Sequence, residues 1–128
     1  EMRYKAVREL TERKWQRASP VAIRHFYDVL SLFNRSQAPK SALLEAVACL
    51  GAMGTPEAAQ TLSLYLQLIN TETEQGKVFD EQIVMAVIRN LGILGDKVAF
   101  DYLLYIGYLK YPDSVKKAAK DALQNLKW

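Results

Sequence analysis

Leu50-Gly51-Ala52-Met53-Gly54-Thr55-Pro56-Glu57-Ala58, followed by Leu62, returns as Leu91-Gly92-Ile93-Leu94-Gly95-Asp96-Lys97-Val98-Ala99, followed by Leu103. At an offset of 41, Leu50, Gly51, Gly54, Ala58 and Leu62 meet Leu91, Gly92, Gly95, Ala99 and Leu103. Met53 likewise meets Leu94, and Leu68 meets Leu109. Recurrence at a fixed spacing of this size marks an internal repeat. Leu43, Ala46, Val47 and Leu50 lead into the first copy at helical spacing, and Val84, Val87, Ile88 and Leu91 lead into the second. The first glycine of each pair leaves room for a neighbouring helix to pack closely. The second falls where a helix end calls for a left-handed residue, a conformation glycine adopts without steric cost. Thr55 and Asp96 are N-caps for a following helix, with Pro56 pre-set at its first position. A link this short between amphipathic helices makes them antiparallel neighbours.

The pattern extends both ways. Val115-Lys116-Lys117-Ala118-Ala119-Lys120-Asp121-Ala122-Leu123 reads as the first helix of another unit, with Leu123 standing for Leu91. Toward the N-terminus, Ser19-Pro20 parallels Thr55-Pro56, and Ala22, Phe26 and Leu30 stand for Ala58, Leu62 and Leu66. The helix before it carries Tyr4, Val7 and Leu10 but no glycine pair. The spacing predicts helices over 2–17, 20–33, 40–53, 56–69, 80–94, 97–110 and 113–126. The polar stretch from Asn70 to Phe79 contains the longest expected loop, with Asp80 and Glu81 as cap and acidic first turn of the next helix.

A helix, Leu-Gly-x-x-Gly, then a capped helix with Ala and Leu three or four residues apart resembles HEAT repeats, in particular the short subtype named after phycobilisome lyases. The resemblance covers 40–110, takes 111–126 as a half unit and reaches 2–33 loosely. It implies an all-α fold, an α-solenoid or right-handed superhelix of antiparallel helix pairs with about seven helices. Its concave surface would be lined by the second helix of each pair. The expected organisation is one HEAT-like domain over 1–128, with a diverged pair at 2–33, repeats at 40–69 and 80–110, and a half repeat at 113–126. That asymmetry reads as the C-terminal portion of a longer solenoid. Gly95-Asp96 matches the family's Gly-Asp, whereas Gly54-Thr55 departs from it and puts an aspartate ladder between repeats in doubt there.

Composition agrees with a helical globular chain. Of 128 residues, half are hydrophobic and 24% charged, with only 6 Gly and 4 Pro to make turns. The longest apolar run, Leu103 to Leu109, is far too short to span a bilayer. The chain opens with Glu1, which fits a mature product or a cut fragment and leaves its compartment open. The net charge of +3 is unevenly spread. Residues 1–40 hold nine Lys/Arg against four acids, 41–96 two against seven, and 97–128 six against three. Such alternation points weakly to charged partners and lacks the sustained basic stripe of nucleic-acid binders.

No residue set for catalysis stands out. The one cysteine, Cys49, lies between Ala48 and Leu50 as a small hydrophobe, and excludes disulfide frameworks and multi-cysteine metal sites. The one histidine, His25, sits between Arg24 and Phe26 without a nearby cysteine or carboxylate pair, as surface and core histidines do. Zinc spacings, phosphate loops and nucleophile elbows are absent, so no metal, cofactor or small-molecule substrate is expected. Two surfaces remain. Along 97–110, Ala99, Tyr102, Leu103, Ile106 and Leu109 share one side, while Phe100, Leu104, Tyr105, Tyr108 and Tyr111 fall around the other. Such a helix is either sandwiched within the stack or carries an exposed patch. Phe100, Tyr105, Tyr108 and Tyr111 are the candidate contacts to a protein partner if that side is open. The second surface is basic: Arg13, Lys14, Arg17 and Arg24, with Arg3, Lys5, Arg8 and Trp15 nearby. Its ordinary reading is a solvated face, since Glu9 and Glu12 can pair with it. Its functional reading is phosphate contact, as in a HEAT-type DNA glycosylase. A chromophore lyase is suggested by the family name alone. The leading expectation is a non-catalytic protein-interaction scaffold, with nucleic-acid binding as the alternative.

Overall fold

A computed structural model describes residues 20–127, and all of its α-helices fall at expected places. Helix α1 covers 20–34. It is followed by α2 (Lys40–Met53), α3 (Pro56–Glu74), α4 (Glu81–Leu94), α5 (Phe100–Tyr105) and α6 (Asp113–Gln124). Among the described residues there is no strand, only an isolated bridge between Asp96 and Lys127. The expected helix at 2–17 lies outside the described residues.

The two glycine elbows work as their spacing requires. Gly54 and Gly95 end α2 and α4 in the left-handed conformation, at φ 67° and 65°. The Thr55 hydroxyl then accepts from the Ala58 amide at 3.2 Å, and the Asp96 carboxylate accepts from the Val98 amide at 2.9 Å. The other glycine of each pair is an approach point. A methyl on Gly51 would overlap the Asn90 side chain of α4, and one on Gly92 would lie 3.2 Å from the Ala122 backbone of α6.

These approaches build two layers. First helices pack on first helices, α2 against α4 and α4 against α6, while α3 packs against α2, α4 and α5. Between the layers runs one continuous core. Leu43, Val47 and Leu50 of α2 meet the equivalent Val84, Ile88 and Leu91 of α4, and Leu62, Leu66, Leu103 and Ile106 close it from the second layer. Complete burial of such side chains contributes about 1.5–3 kcal/mol each. At the N-terminal end, Phe26 of α1 joins the core and stacks edge-on against Tyr65 of α3 at 5.4 Å. Register along the first layer is fixed by polar ties between helix starts. Lys40 pairs with Asp80 at 3.2 Å, and the Ser114 hydroxyl donates to Glu81 at 2.8 Å. Asp80 also caps α4, accepting from the amides of Gln82 and Ile83.

Two boundaries differ from expectation. Helix α3 runs on to Glu74, through residues expected as loop. Its last turns are held by the next repeat: the Asn70 amide donates to the Tyr102 carbonyl at 3.2 Å, and Thr73 meets the Tyr111 hydroxyl at 3.1 Å. Conversely, the helix expected over 97–110 is divided. A 3₁₀ turn at Lys97–Ala99 precedes α5, another at Ile106–Tyr108 follows it, and Leu109 is extended. Gly107 weakens helix there, and the residue before Pro112 disfavours it. Helix α6 is strapped down at its far end, where the Lys127 amide donates to the Gly95 carbonyl at 2.7 Å.

Candidate interaction surface

Helix α3 carries two kinds of residue on two faces. Ala58, Leu62, Leu66 and Ile69 point into the core, while Glu57, Gln60, Leu64, Gln67, Leu68, Thr71 and Glu74 are exposed. At 100° per residue this exposed set forms one stripe along the helix. Two of its members, Leu64 and Leu68, are leucines open to solvent where a polar residue would be ordinary. Across from it, the neighbouring turn-and-helix unit exposes Asp101, Leu104, Tyr105 and Tyr108. The stripe and this set are adjacent. Gln67, Asn70 and Thr71 of α3 and Asp101, Tyr102 and Tyr105 of α5 line a shared groove of about 270 Å³.

The aromatics expected at this surface divide. Tyr108 is 78% exposed and Tyr105 39%, their ring centroids 6.5 Å apart and their planes tilted by 40°. The Glu74 carboxylate, an acceptor facing the Tyr105 hydroxyl, raises its pKa above the ordinary value for tyrosine. Phe100 is half-buried and packs on the core. Tyr111 is a correction: it is 5% exposed and forms no part of an open face. Its hydroxyl donates to Asn70 Oδ1 at 2.8 Å, and its ring stands edge-on to Phe79 at 4.9 Å. Burial raises its pKa, with the bond to Thr73 acting the other way. The break after α5 is the reason, because it turns Tyr111 under the end of α3 instead of continuing the helix face.

That break also separates Leu68 from Leu109, which match in sequence. Leu68 is 47% exposed and Leu109 8%. Leu64, Leu68 and the carboxylates of Glu74 and Asp101 were not among the candidate contacts read from the sequence, whereas Leu104 fell on the same side as the tyrosines. The signal available for Leu64 and Leu68 was their offset from the Ala58–Leu62–Leu66 core stripe; for Glu74 there was none while 70–79 read as loop.

Elsewhere the molecule offers less. A groove of about 510 Å³ lies in the first layer between α4 and α6, where Arg89, Lys117 and Asp121 mix with Met85 and Ile93. Of the basic candidates, Arg24 is exposed on α1, and Arg13, Lys14 and Arg17 lie outside the described residues. His25 is exposed and Cys49 is a half-buried free thiol. Among the described residues, no three of His, Cys, Asp and Glu are grouped so as to hold a metal ion, and no helix is long and apolar enough to cross a membrane.

Residues 42–67 match the model of the PBS lyase HEAT-like repeat, a span that takes in most of α2, the Gly54-Thr55-Pro56 elbow and α3 as far as Gln67. No curated protein and no solved structure matched the chain. Over that span the chain is similar to the HEAT-like repeat family, and the second elbow at Gly95-Asp96 and the two-layer packing of helix pairs agree with an all-α solenoid of such repeats.

Proposed function

We propose that the chain is a non-catalytic interaction module that binds a protein partner along its second helices, with Tyr105 and Tyr108 at the centre of the contact. HEAT-like repeats generally act as structural scaffolds, and a stack of them buries its apolar stripes between neighbours, leaving the remaining surface for partners. The observation that carries the reading is the row of exposed Leu64, Leu68, Leu104, Tyr105 and Tyr108. Apolar side chains gathered in this way are costly to leave in water, and tyrosines contribute heavily to interface energy.

The test is affinity capture with the intact gene product, followed by the Tyr105→Ala/Tyr108→Ala double variant. A verified partner should be lost while the helical circular dichroism stays unchanged. Undiminished capture by the double variant would remove this surface from consideration.

A further inference from the structure

The surface that gathers those apolar residues has a charge of one sign. Across Pro56–Glu74 and 98–109 there is no Lys or Arg, whereas Glu57, Glu74 and Asp101 stand exposed beside Leu64, Leu68, Leu104, Tyr105 and Tyr108. The nearest basic residues in sequence, Lys77, Lys97 and Lys110, flank these two segments without entering them, and Lys117 and Lys120 are exposed on α6. Asp101, Tyr102 and Tyr105 of α5 line the α3–α5 groove together with Gln67, Asn70 and Thr71 of α3.

These features select among occupants. An uncharged apolar segment would cover Leu64, Leu68 and the tyrosines but strip water from carboxylates without replacing it, which costs free energy. An acidic segment would be repelled. A segment with cationic side chains beside apolar ones satisfies both: its apolar residues cover the leucines, and a guanidinium or ammonium entering the groove meets a carboxylate and an aromatic face together. Cations over tyrosine rings are attracted by the ring's electron-rich face, more strongly as water is excluded. Arginine suits the groove best, since its plane can lie on a ring while its edge donates to a carboxylate.

We infer that the partner presents a basic, amphipathic segment to this face, with an arginine or lysine seated between Asp101 and Tyr105. The inference rests on the interaction-module reading and specifies the chemistry of its partner. It is tested by panning a random library of displayed peptides, each about a dozen residues long, against the intact protein. Retained peptides are enriched in Arg or Lys together with apolar residues. In fluorescence anisotropy their affinity falls about tenfold or more for Glu74→Gln/Asp101→Asn, a loss matching a few charge-assisted contacts. It also falls as salt is raised through the physiological range.

Retained peptides that are acidic or uncharged, or basic ones indifferent to the carboxylate changes, would overturn the inference. If such peptides are still lost in Tyr105→Ala/Tyr108→Ala, the surface reading stands and only the cationic chemistry falls. If nothing retained distinguishes wild type from the tyrosine variant, both fall. Should the double variant lose helicity, Tyr108→Ala alone replaces it, since that ring is the more exposed of the two. Binding of labelled duplex DNA that depends on these tyrosines would likewise overturn the inference.

Discussion

Gly54 and Gly95 share a left-handed backbone but differ in what surrounds them. Nothing lies within 4 Å of a methyl built on Gly54, whereas one on Gly95 would sit 3.0 Å from the Asn125 carbonyl. Alanine at Gly54 therefore carries only the backbone penalty, about 1–2 kcal/mol. Alanine at Gly95 adds displacement of the strap that ties Lys127 to the Gly95 carbonyl, and should cost distinctly more in denaturant melts. Equal losses at the two positions would show that the strap contributes nothing. Gly51→Ala is a third case, because the obstacle is a side chain, Asn90, whose end can move but whose Cβ also stands only 2.9 Å away. Overpacking of this kind costs about 1–3 kcal/mol. Adding Asn90→Ala removes the closest atoms, so the double variant should be more stable than the two single losses sum to. Tyr65 makes the residue scale sensitive to pH. Burial, helped by Glu72 and Asp80, raises its pKa to about 12. The folded state thus holds its proton more tightly than the unfolded state does. The contribution of Tyr65 to stability is full below pH 10 and is lost between about 10 and 12, on the order of 2 kcal/mol. Tyr65→Phe keeps the edge-on contact with Phe26 and should flatten this decline; an unaltered slope would assign it to other groups.

At the scale of elements, the helix pairs were legible because their determinants are local: a helix end that needs φ near +65°, a hydroxyl or carboxylate at the cap, an apolar stripe at helical period. Where α3 ends was not legible, because it is decided by residues some thirty to forty positions away, and the break after α5 rests on Gly107 and Pro112, which an all-round apolar pattern masks. Asn70, Thr71 and Thr73 read as loop residues until Asn70 reaches the Tyr102 carbonyl and Tyr111 reaches Asn70 and Thr73. The same limit applies to the candidate surface. Tyr105 and Tyr108 could be picked from an all-round apolar helix, but Tyr111 could not be removed from it without knowing that the helix stops. Tyr111→Phe tests the tie between repeats. It keeps the ring on Phe79 and leaves the buried Asn70 Oδ1 without that donor. A cost of about 1–3 kcal/mol follows from stranding a buried acceptor. Amide exchange should quicken in the last turns of α3 while α2 is unaffected. A neutral substitution would mean that Asn70 finds water instead.

For the molecule as a whole, a layered stack distributes stability among neighbours, each helix pair depending on the next for cover. Helix α6 supplies that cover for the second repeat. Val115, Ala119, Ala122 and Leu126 are buried, α6 packs on both α4 and α5, and Tyr111 just before it ties down the end of α3. A chain ended after Lys110 would lose all of these while keeping both glycine elbows. The first repeat would keep its own pairing of α2 with α3 and the aromatic contact from α1. The loss should therefore be graded along the stack. Amides of Val87, Ile88 and Leu91 in α4 are expected to lose most of their exchange protection, and those of Val47 and Leu50 in α2 much less. Hydrogen exchange read by mass spectrometry separates this from the alternative, in which protection drops by the same factor in both repeats. A uniform drop would mean that the continuous core between the layers couples the repeats more tightly than their pairwise contacts do. The half repeat would then stabilise the entire stack, including the tyrosine-bearing face, and partner binding would be as sensitive to α6 as to Tyr105 and Tyr108 themselves.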